Sequence, residues 1–303
     1  MSGANDTQLA TDVTGATKNL AISELRKRVR EHWDGFSPAA RAVCRLLTEI
    51  TPERLLYLSA SELGEETQTS NATVVRTLQA LGYEGLADLK RQVAKPFSTD
   101  IAPEVRARRR LESVGRDLSS VWESVIGEAA DRLQLRARLF AAEESAQAVA
   151  VLLEARQVLT YGHGASFVVA EHLAMKLRRM GRRSRAMVSS GFRLADDLLD
   201  VEAGDAVVIF VPGRLPIDVQ ALLDRIRAVG ASGILITDEL IGQLDDQVTV
   251  TLQAPNTPTG LTAEPLTSLV LADGLAQGVA AADVERTVEA SHTLTTIRQQ
   301  LGY

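Results

Sequence analysis

Ser59-Ala-Ser-Glu62-Leu63-Gly-Glu-Glu66-Thr-Gln68-Thr-Ser70-Asn71-Ala-Thr73-Val74-Val75-Arg76-Thr-Leu78-Gln79-Ala-Leu81-Gly82 holds two helix starts eleven residues apart. Ser59 with Glu62 has the form of a capping box, in which each partner satisfies an amide left free at a helix N-terminus. The short helix that begins there is expected to run to about Glu66. Thr67 to Ser70 is polar and turn-like, and Ser70 is placed to cap a second helix. Val74, Val75, Leu78 and Leu81 then fall on one stripe of that helix, and Gly82 ends it. Two short helices joined by a tight polar turn describe a helix-turn-helix, whose second helix enters the DNA major groove N-terminus first. At 100° per residue Ala72, Thr73, Arg76, Gln79 and Ala80 lie opposite the apolar stripe. Arg76 suits guanine edges, Asn71 and Thr73 suit base or phosphate, and the alanines allow close approach. A plain helical hairpin with a polar face is the structural alternative.

The same punctuation extends upstream. Ser37-Pro38 and Thr51-Pro52 each set a capping hydroxyl before a proline at the first helical position, and Val43, Leu46, Leu47 and Ile50 follow at helical spacing. Cys44, the single cysteine, lies in that apolar pattern and reads as a buried small hydrophobe. Downstream, Pro96 and Pro103 mark a hinge. Leu111, Val114, Leu118, Val121, Val125 and Ile126, then Val149, Leu152 and Leu153, keep the spacing of amphipathic helices. The Arg106–Arg110 run reads as a solvated face.

From Gln157 onward short β-rich runs alternate with helices: Val158 to Tyr161, Ala186 to Val188, Ala206 to Val211, Gly233 to Thr237 and Val248 to Leu252, with a last helix over Thr262 to Ala282. This order predicts βαβ units and a mostly parallel sheet covered on both faces. The domain organisation expected is a flexible tail over 1–19, an α-helical helix-turn-helix domain over 20–96, a helical linker over 97–150, and an α/β domain over 151–303.

At 303 residues, 45% hydrophobic and 24% charged, the chain has the composition of an ordinary globular protein of about two domains. The segment before residue 20 lacks a basic and an apolar stretch, so no signal peptide is expected, and no run approaches a membrane span. A cytoplasmic location follows as the expectation. Lys and Arg against Asp and Glu count 11 to 10 over residues 20–97 and 6 to 16 over residues 192–303, so the net charge of −6 resides in the C-terminal part. That total does not oppose DNA binding, because the field at a polyanion is set by the face presented to it.

Phe36-Ser-Pro-Ala-Ala-Arg41, Leu58-Ser-Ala-Ser-Glu-Leu63, Ser70-Asn-Ala-Thr-Val-Val-Arg76, Leu81-Gly82-Tyr83, Gly85-Leu86 and Asp88-Leu89-Lys90 together resemble the N-terminal domain of the RpiR/MurR-type bacterial transcriptional regulators. The resemblance is dense over about sixty residues and implies that Ser70 to Arg76 starts the recognition helix, so that Ser70, Asn71, Thr73 and Arg76, with Gln79 on the same exposed face, are the candidate DNA contacts. It departs at the turn, where the family's glycine followed by an apolar residue is Gln68-Thr69.

Tyr161-Gly162-His163-Gly164-Ala165-Ser166 follows a strand and opens a helix, where a glycine-rich loop and a helix N-terminus hold an anion. With Gly204-Asp205 leading into the next strand, residues 155 to 282 resemble the sugar-isomerase (SIS) fold that forms the second domain of the same family. That implies a five-stranded parallel sheet, phosphosugar ligands at the C-terminal strand ends, and Gly162, His163, Gly164, Ala165, Ser166, Gly213 and Arg214 around the effector. The family's phosphate loop, Ser-x-Ser-Gly-x-Thr, is replaced here by Phe210-Val-Pro-Gly-Arg-Leu215. Its hydroxyls are lost and Pro212 has no amide hydrogen, so the ligand expected is a small molecule other than a phosphosugar, with a purely dimerising domain as the alternative.

An SIS-fold isomerase is the rival class, and His163, His172 and Glu264 are its available bases. None sits in a catalytic signature, and no metal-ligand spacing appears, so neither enzyme activity, a cofactor nor a metal is expected. The partners expected are an operator DNA, a small-molecule effector and further copies of the chain as a dimer or higher oligomer.

Overall fold

Hydroxyl and amide oxygens start five of the helices in the N-terminal part of this computed structural model, which describes residues 19–94, 111, 118–213, 215–256 and 265–303. Asn19 caps α1 (Leu20–His32), Ser37 caps α2 (Pro38–Glu49), Thr51 caps α3 (Pro52–Tyr57), Ser59 caps α4 (Ala60–Glu66) and Ser70 caps α5 (Asn71–Ala80). The Ser59/Glu62 capping box is complete, with Ser59 N donating to Glu62 Oε2 at 2.6 Å and Glu62 N to Ser59 Oγ at 3.2 Å. Helix α6 (Leu86–Ala94) follows. The chain divides into two compact units, residues 1–117 and 118–303.

The core of the first unit is built from one stripe of each helix: Leu25, Val43, Cys44, Leu47, Leu55, Leu63, Val74, Leu78 and Leu89 are all buried. The Arg28 guanidinium lies 4.8 Å over the Tyr83 ring and donates to the carbonyl of Leu81 at 3.1 Å, which ties α1 to the end of α5.

The second unit opens with α7 (Leu118–Arg138) and α8 (Ala142–Glu154). It continues as β1 (Val158–Gly162), α9 (Phe167–Arg179), β2 (Ser184–Met187), α10 (Leu194–Leu199), β3 (Ala206–Phe210), α11 (Ile217–Val229), β4 (Ser232–Thr237), β5 (Val250–Gln253), α12 (Leu266–Ala282) and α13 (Val284–Gln300). The five strands form one all-parallel sheet in the order β2-β1-β3-β4-β5. Alternate residues of the central strands serve two separate cores, as a sheet buried on both faces requires. Val158, Ala206, Val208, Phe210 and Ile234 meet α8, α9 and α12, whereas Leu159, Val207, Ile209 and Leu235 meet α11. The fold expected from the sequence, a helical N-terminal part and a five-stranded parallel α/β domain, is the fold observed.

One local expectation is corrected. The β2 and β5 runs begin two residues away from where composition placed them, because pairing with β1 and β4 sets their ends. In α7, Val125 and Ile126 of the amphipathic spacing stand exposed, as does Trp122. The tail to Lys18, Pro96, Pro103, the Arg106–Arg110 run, Val114, Arg214 and Glu264 lie outside the described residues.

Candidate functional site

Helices α4 and α5 meet through a turn in which Gln68 has φ +54°, the left-handed region where a glycine is ordinarily favoured. This is the position at which the sequence departs from the family pattern, and the backbone keeps the turn. Thr69 N donates to the Gly64 carbonyl at 2.7 Å, and Thr67 Oγ1 donates to the Leu63 carbonyl at 2.7 Å. The turn passes so close to α4 that a Cβ on Gly64 would lie 2.9 Å from the Thr69 carbonyl oxygen.

Beyond the turn, Val74, Val75, Thr77 and Leu78 of α5 are buried, while Ser70, Asn71, Ala72, Arg76, Gln79 and Ala80 are exposed and Thr73 is half-buried. Ser70 Oγ accepts from Thr73 N at 3.2 Å and shares a 3.0 Å hydrogen bond with Thr73 Oγ1. Arg76 Nε donates to the Ala72 carbonyl at 3.1 Å, which aligns the guanidinium along the outward face of the helix. Thr77 instead turns its hydroxyl back onto the Thr73 carbonyl at 2.8 Å. One helix face therefore presents a guanidinium, two amides and a hydroxyl around small alanines.

The second site lies at the C-terminal ends of the strands in the other unit. Gly162 ends β1, and Gly164–Ser166 form a single 3-10 turn before α9. A Cβ on Gly162 would fall 2.2 Å from the Ser166 carbonyl oxygen, so only glycine lets the loop fold back over the strand. Ser166 is buried, while His163, Gly164 and Ala165 are exposed. Ala165 and Ser166 are brought together with Pro212, Ala254, Asn256, Pro265, Thr267 and Ser268 around a cleft of about 10 Å³, the room of a single water.

The loop after β3 has an arrangement opposite to that of a phosphate cradle. The Pro212 carbonyl accepts from Asp238 N and Glu239 N, both at 3.0 Å, so two amides that face the loop are already engaged. The Glu239 carboxylate lies against Gly213, where a Cβ would meet its Oε2 at 3.0 Å. Asp218, at the start of α11, accepts from Gly191 N at 3.1 Å and from the Tyr161 hydroxyl. Burial first, and then the Asp218 charge and hydrogen bond, push the Tyr161 phenol up to about 12. Asp218, Asp238 and Glu239 are members of this site that sequence patterns did not single out, and their only signal was the acidic excess of the segment from 192 onward. Tyr161 opens the glycine-rich stretch, whose pattern by itself gives it no role there.

Of the candidate bases, His163 is exposed, and His172 Nε2 is held 2.7 Å from Asp273 on α12, a carboxylate shared with Lys176 at 2.5 Å. The hydrogen bonds from Lys176 and His172 hold the Asp273 carboxyl below its ordinary range. The Gly204-Asp205 pair lies at the opposite end of the sheet, where buried Asp205 takes a bidentate contact from Arg156 at 3.0 and 3.1 Å. Among the described residues no group of three His, Cys, Asp or Glu side chains is placed to hold a metal, and no helix is long and apolar enough to cross a membrane.

Residues 151–277 match the SIS domain family. Among curated proteins, the chain is 27% identical over 162 residues to the uncharacterized HTH-type transcriptional regulator YfhH of Escherichia coli, a match covering 53% of this chain and 56% of that one. The chain thus spans about half the length of the curated relative it matches. Among solved structures, the Vibrio vulnificus NanR protein complexed with ManNAc-6P aligns over 91% of this chain and 98% of its own, at 23% identity and a TM-score of 0.55. The sugar isomerase domain of an RpiR transcription factor from Sphaerobacter thermophilus covers 57% of this chain and 96% of its own, at 20% identity and a TM-score of 0.54.

Proposed function

We propose that this chain, which carries a C-terminal SIS domain of the kind found in RpiR-type regulators, is a transcriptional regulator that binds operator DNA through α5 and senses a small carbohydrate derivative at the strand ends of the SIS domain. The observation that carries this is the outward face of α5: Asn71, Thr73, Arg76 and Gln79 stand on a capped helix held by a tight turn, with Val74, Val75 and Leu78 turned inward. Such a face offers bidentate contacts to base edges at the groove end of the helix and hydroxyl contacts to phosphate. Ser70 contributes the cap and a phosphate contact. Two copies of the chain place two such helices on the half-sites of one operator. Fluorescence anisotropy of the full chain with DNA flanking its own coding sequence tests this, with unrelated DNA at matched salt as the reference. Equal affinity for both across the salt range removes the operator reading.

The effector proposed is uncharged or amine-bearing rather than phosphorylated. Engaged Asp238 and Glu239 amides, a proline in the loop and a carboxylate against Gly213 leave a dianion few donors and a like charge. Gly162, His163, Gly164, Ala165, Ser166 and Gly213 frame the site, and Arg214, next in sequence to Gly213, is the cation proposed to act there. The chain acts by shifting the population of DNA-competent dimers, not by catalysis. A thermal-shift screen of the full chain against sugars, amino sugars, sugar acids and sugar phosphates identifies the class.

A further inference from the structure

Helix α13 is 17 residues long and contains no buried residue. A helix of that length is marginal on its own and ordinarily gains its stability by burying an apolar stripe. Thr287, Ala290, Leu294, Ile297 and Leu301 form such a stripe, at spacings of three and four. It borders a groove of about 540 Å³ between α13 and the end of α9, floored by Met175, Leu294 and Ile297. Among the described residues, hydrogen bonds and an ion pair join the N-terminal half of α13 to the rest of the domain. The Arg182 guanidinium donates to Asp283 at 2.6 Å, Arg286 Nε donates to the Gly181 carbonyl at 2.9 Å, and a Cβ on Gly181 would lie 2.9 Å from the Arg286 side chain. From Leu294 onward the helix leaves apolar surface open, with Ile297 46% and Leu301 68% exposed.

The rim of the groove carries charge of both signs. Arg178 and Arg179 on the α9 side and Glu289 on the α13 side line it, and none of the three makes an ion pair among the described residues. We propose that the groove receives α13 of a second copy of this chain, so that two α13 helices pack antiparallel about a two-fold axis. In an isologous contact each surface meets its own copy, so Glu289 of one chain faces Arg178 and Arg179 of the other, and the pairing repeats on the far side of the axis. Leu294 and Ile297 fill the floor, and the exposed C-terminal half of α13 gains cover from the copy. The proposal deepens the dimer assumed for operator binding, but it stands on α13 alone and is tested without DNA.

Sedimentation velocity of the full chain at micromolar concentration reads the outcome. The wild type is expected to be a dimer, and Ile297→Asp to raise the dissociation constant at least a hundredfold with unchanged far-ultraviolet circular dichroism. Should Ile297→Asp lose helix content, the charge variants decide. Glu289→Arg and the pair Arg178→Glu with Arg179→Glu should each weaken the dimer about tenfold, and their combination should restore it. A monomeric wild type overturns the proposal, as does an intact dimer in Ile297→Asp, which would assign association to another surface. Charge reversals that add without rescue also overturn it. A dimer that forms as proposed but shows no operator preference would remove the regulator reading and leave this interface standing.

Discussion

The amide of Thr69 reaches the carbonyl of Gly64 at 2.7 Å, the shortest of the backbone bonds that close the turn between α4 and α5. Gly64→Ala pushes a methyl to within 2.9 Å of the Thr69 oxygen and should destabilise the N-terminal unit by about 1–3 kcal/mol. Gln68→Gly should act in the opposite direction. It relieves a left-handed residue, worth about 1–2 kcal/mol, against about 0.5–1 kcal/mol of extra chain entropy. Trp33 fluorescence in a Trp122→Phe background follows the unfolding of that unit alone, since the chain has two tryptophans.

Arg76→Ala removes the guanidinium from the exposed face of α5 without touching the buried stripe. Operator affinity should fall by about 1–3 kcal/mol while the melting temperature stays within a degree or so. Titration by anisotropy at fixed salt measures it, and unchanged affinity would take Arg76 off the recognition surface.

Hexose and pentose phosphates at millimolar concentration should give no calorimetric heat with the full chain and should not release it from DNA. Glu239→Gln removes the carboxylate beside Gly213 and should improve phosphate binding by about 1 kcal/mol, a small figure because the group is exposed and screened. A micromolar dissociation constant in the wild type, abolished by Ser166→Ala or Arg214→Ala, would mean the phosphate site is rebuilt around those residues.

Asp283→Ala should cost the SIS unit about 1.5–3 kcal/mol in chemical denaturation, the range for a charge-assisted hydrogen bond, since Asp283 is half-buried and Arg182 keeps its bond to the Leu153 carbonyl. The Arg182 side chain is only 8% exposed and would be left buried without its partner, while α13 would lose its cap at Arg286 N. Burial, with the nearby Arg286 adding to it, already pulls the Arg182 guanidinium below its ordinary value, and Asp283 opposes that pull.

Burial pushes the Cys44 thiol up to about 11. A group whose folded value lies above its unfolded one contributes stability below the unfolded value and loses it as the pH rises through the folded one. The N-terminal unit should therefore weaken between about pH 9 and 11, and Cys44→Ala should remove that component of the pH dependence. Iodoacetamide at pH 8 should leave the native thiol unmodified and label it at once in guanidinium.

The helical unit was largely legible because its signals are local. Ser37, Thr51, Ser59 and Ser70 each announce a helix within three residues, and the inward stripe of α5 needs only a 3.6-residue period. The parallel sheet was legible from the alternation of strands and helices. The ends of β2 and β5 were not, because the pairing of Val158 with Ser184 and of Ile234 with Val250 fixes them from another part of the chain. The effector site was legible only in part for a related reason. Gly162 and Ser166 share a continuous stretch, but Asp218, Asp238 and Glu239 reach it only once the strand order is known. Similarly, the apolar spacing of α7 reads as an amphipathic face, and a period alone does not report the direction in which that face points.

Gly162 constrains how this protein can change over generations. Any side chain there collides with Ser166, so the wall of the effector cleft made by the first loop is closed to variation in its backbone path. Change in what the cleft accepts then falls to the facing side chains of Pro212, Asn256 and Ser268, since Thr267 is itself buried and held by a 2.6 Å bond to the Pro255 carbonyl. The loop after β3, which carries Pro212, belongs to that facing side: the first loop keeps the fold of the site, and the facing side chains decide what fits it.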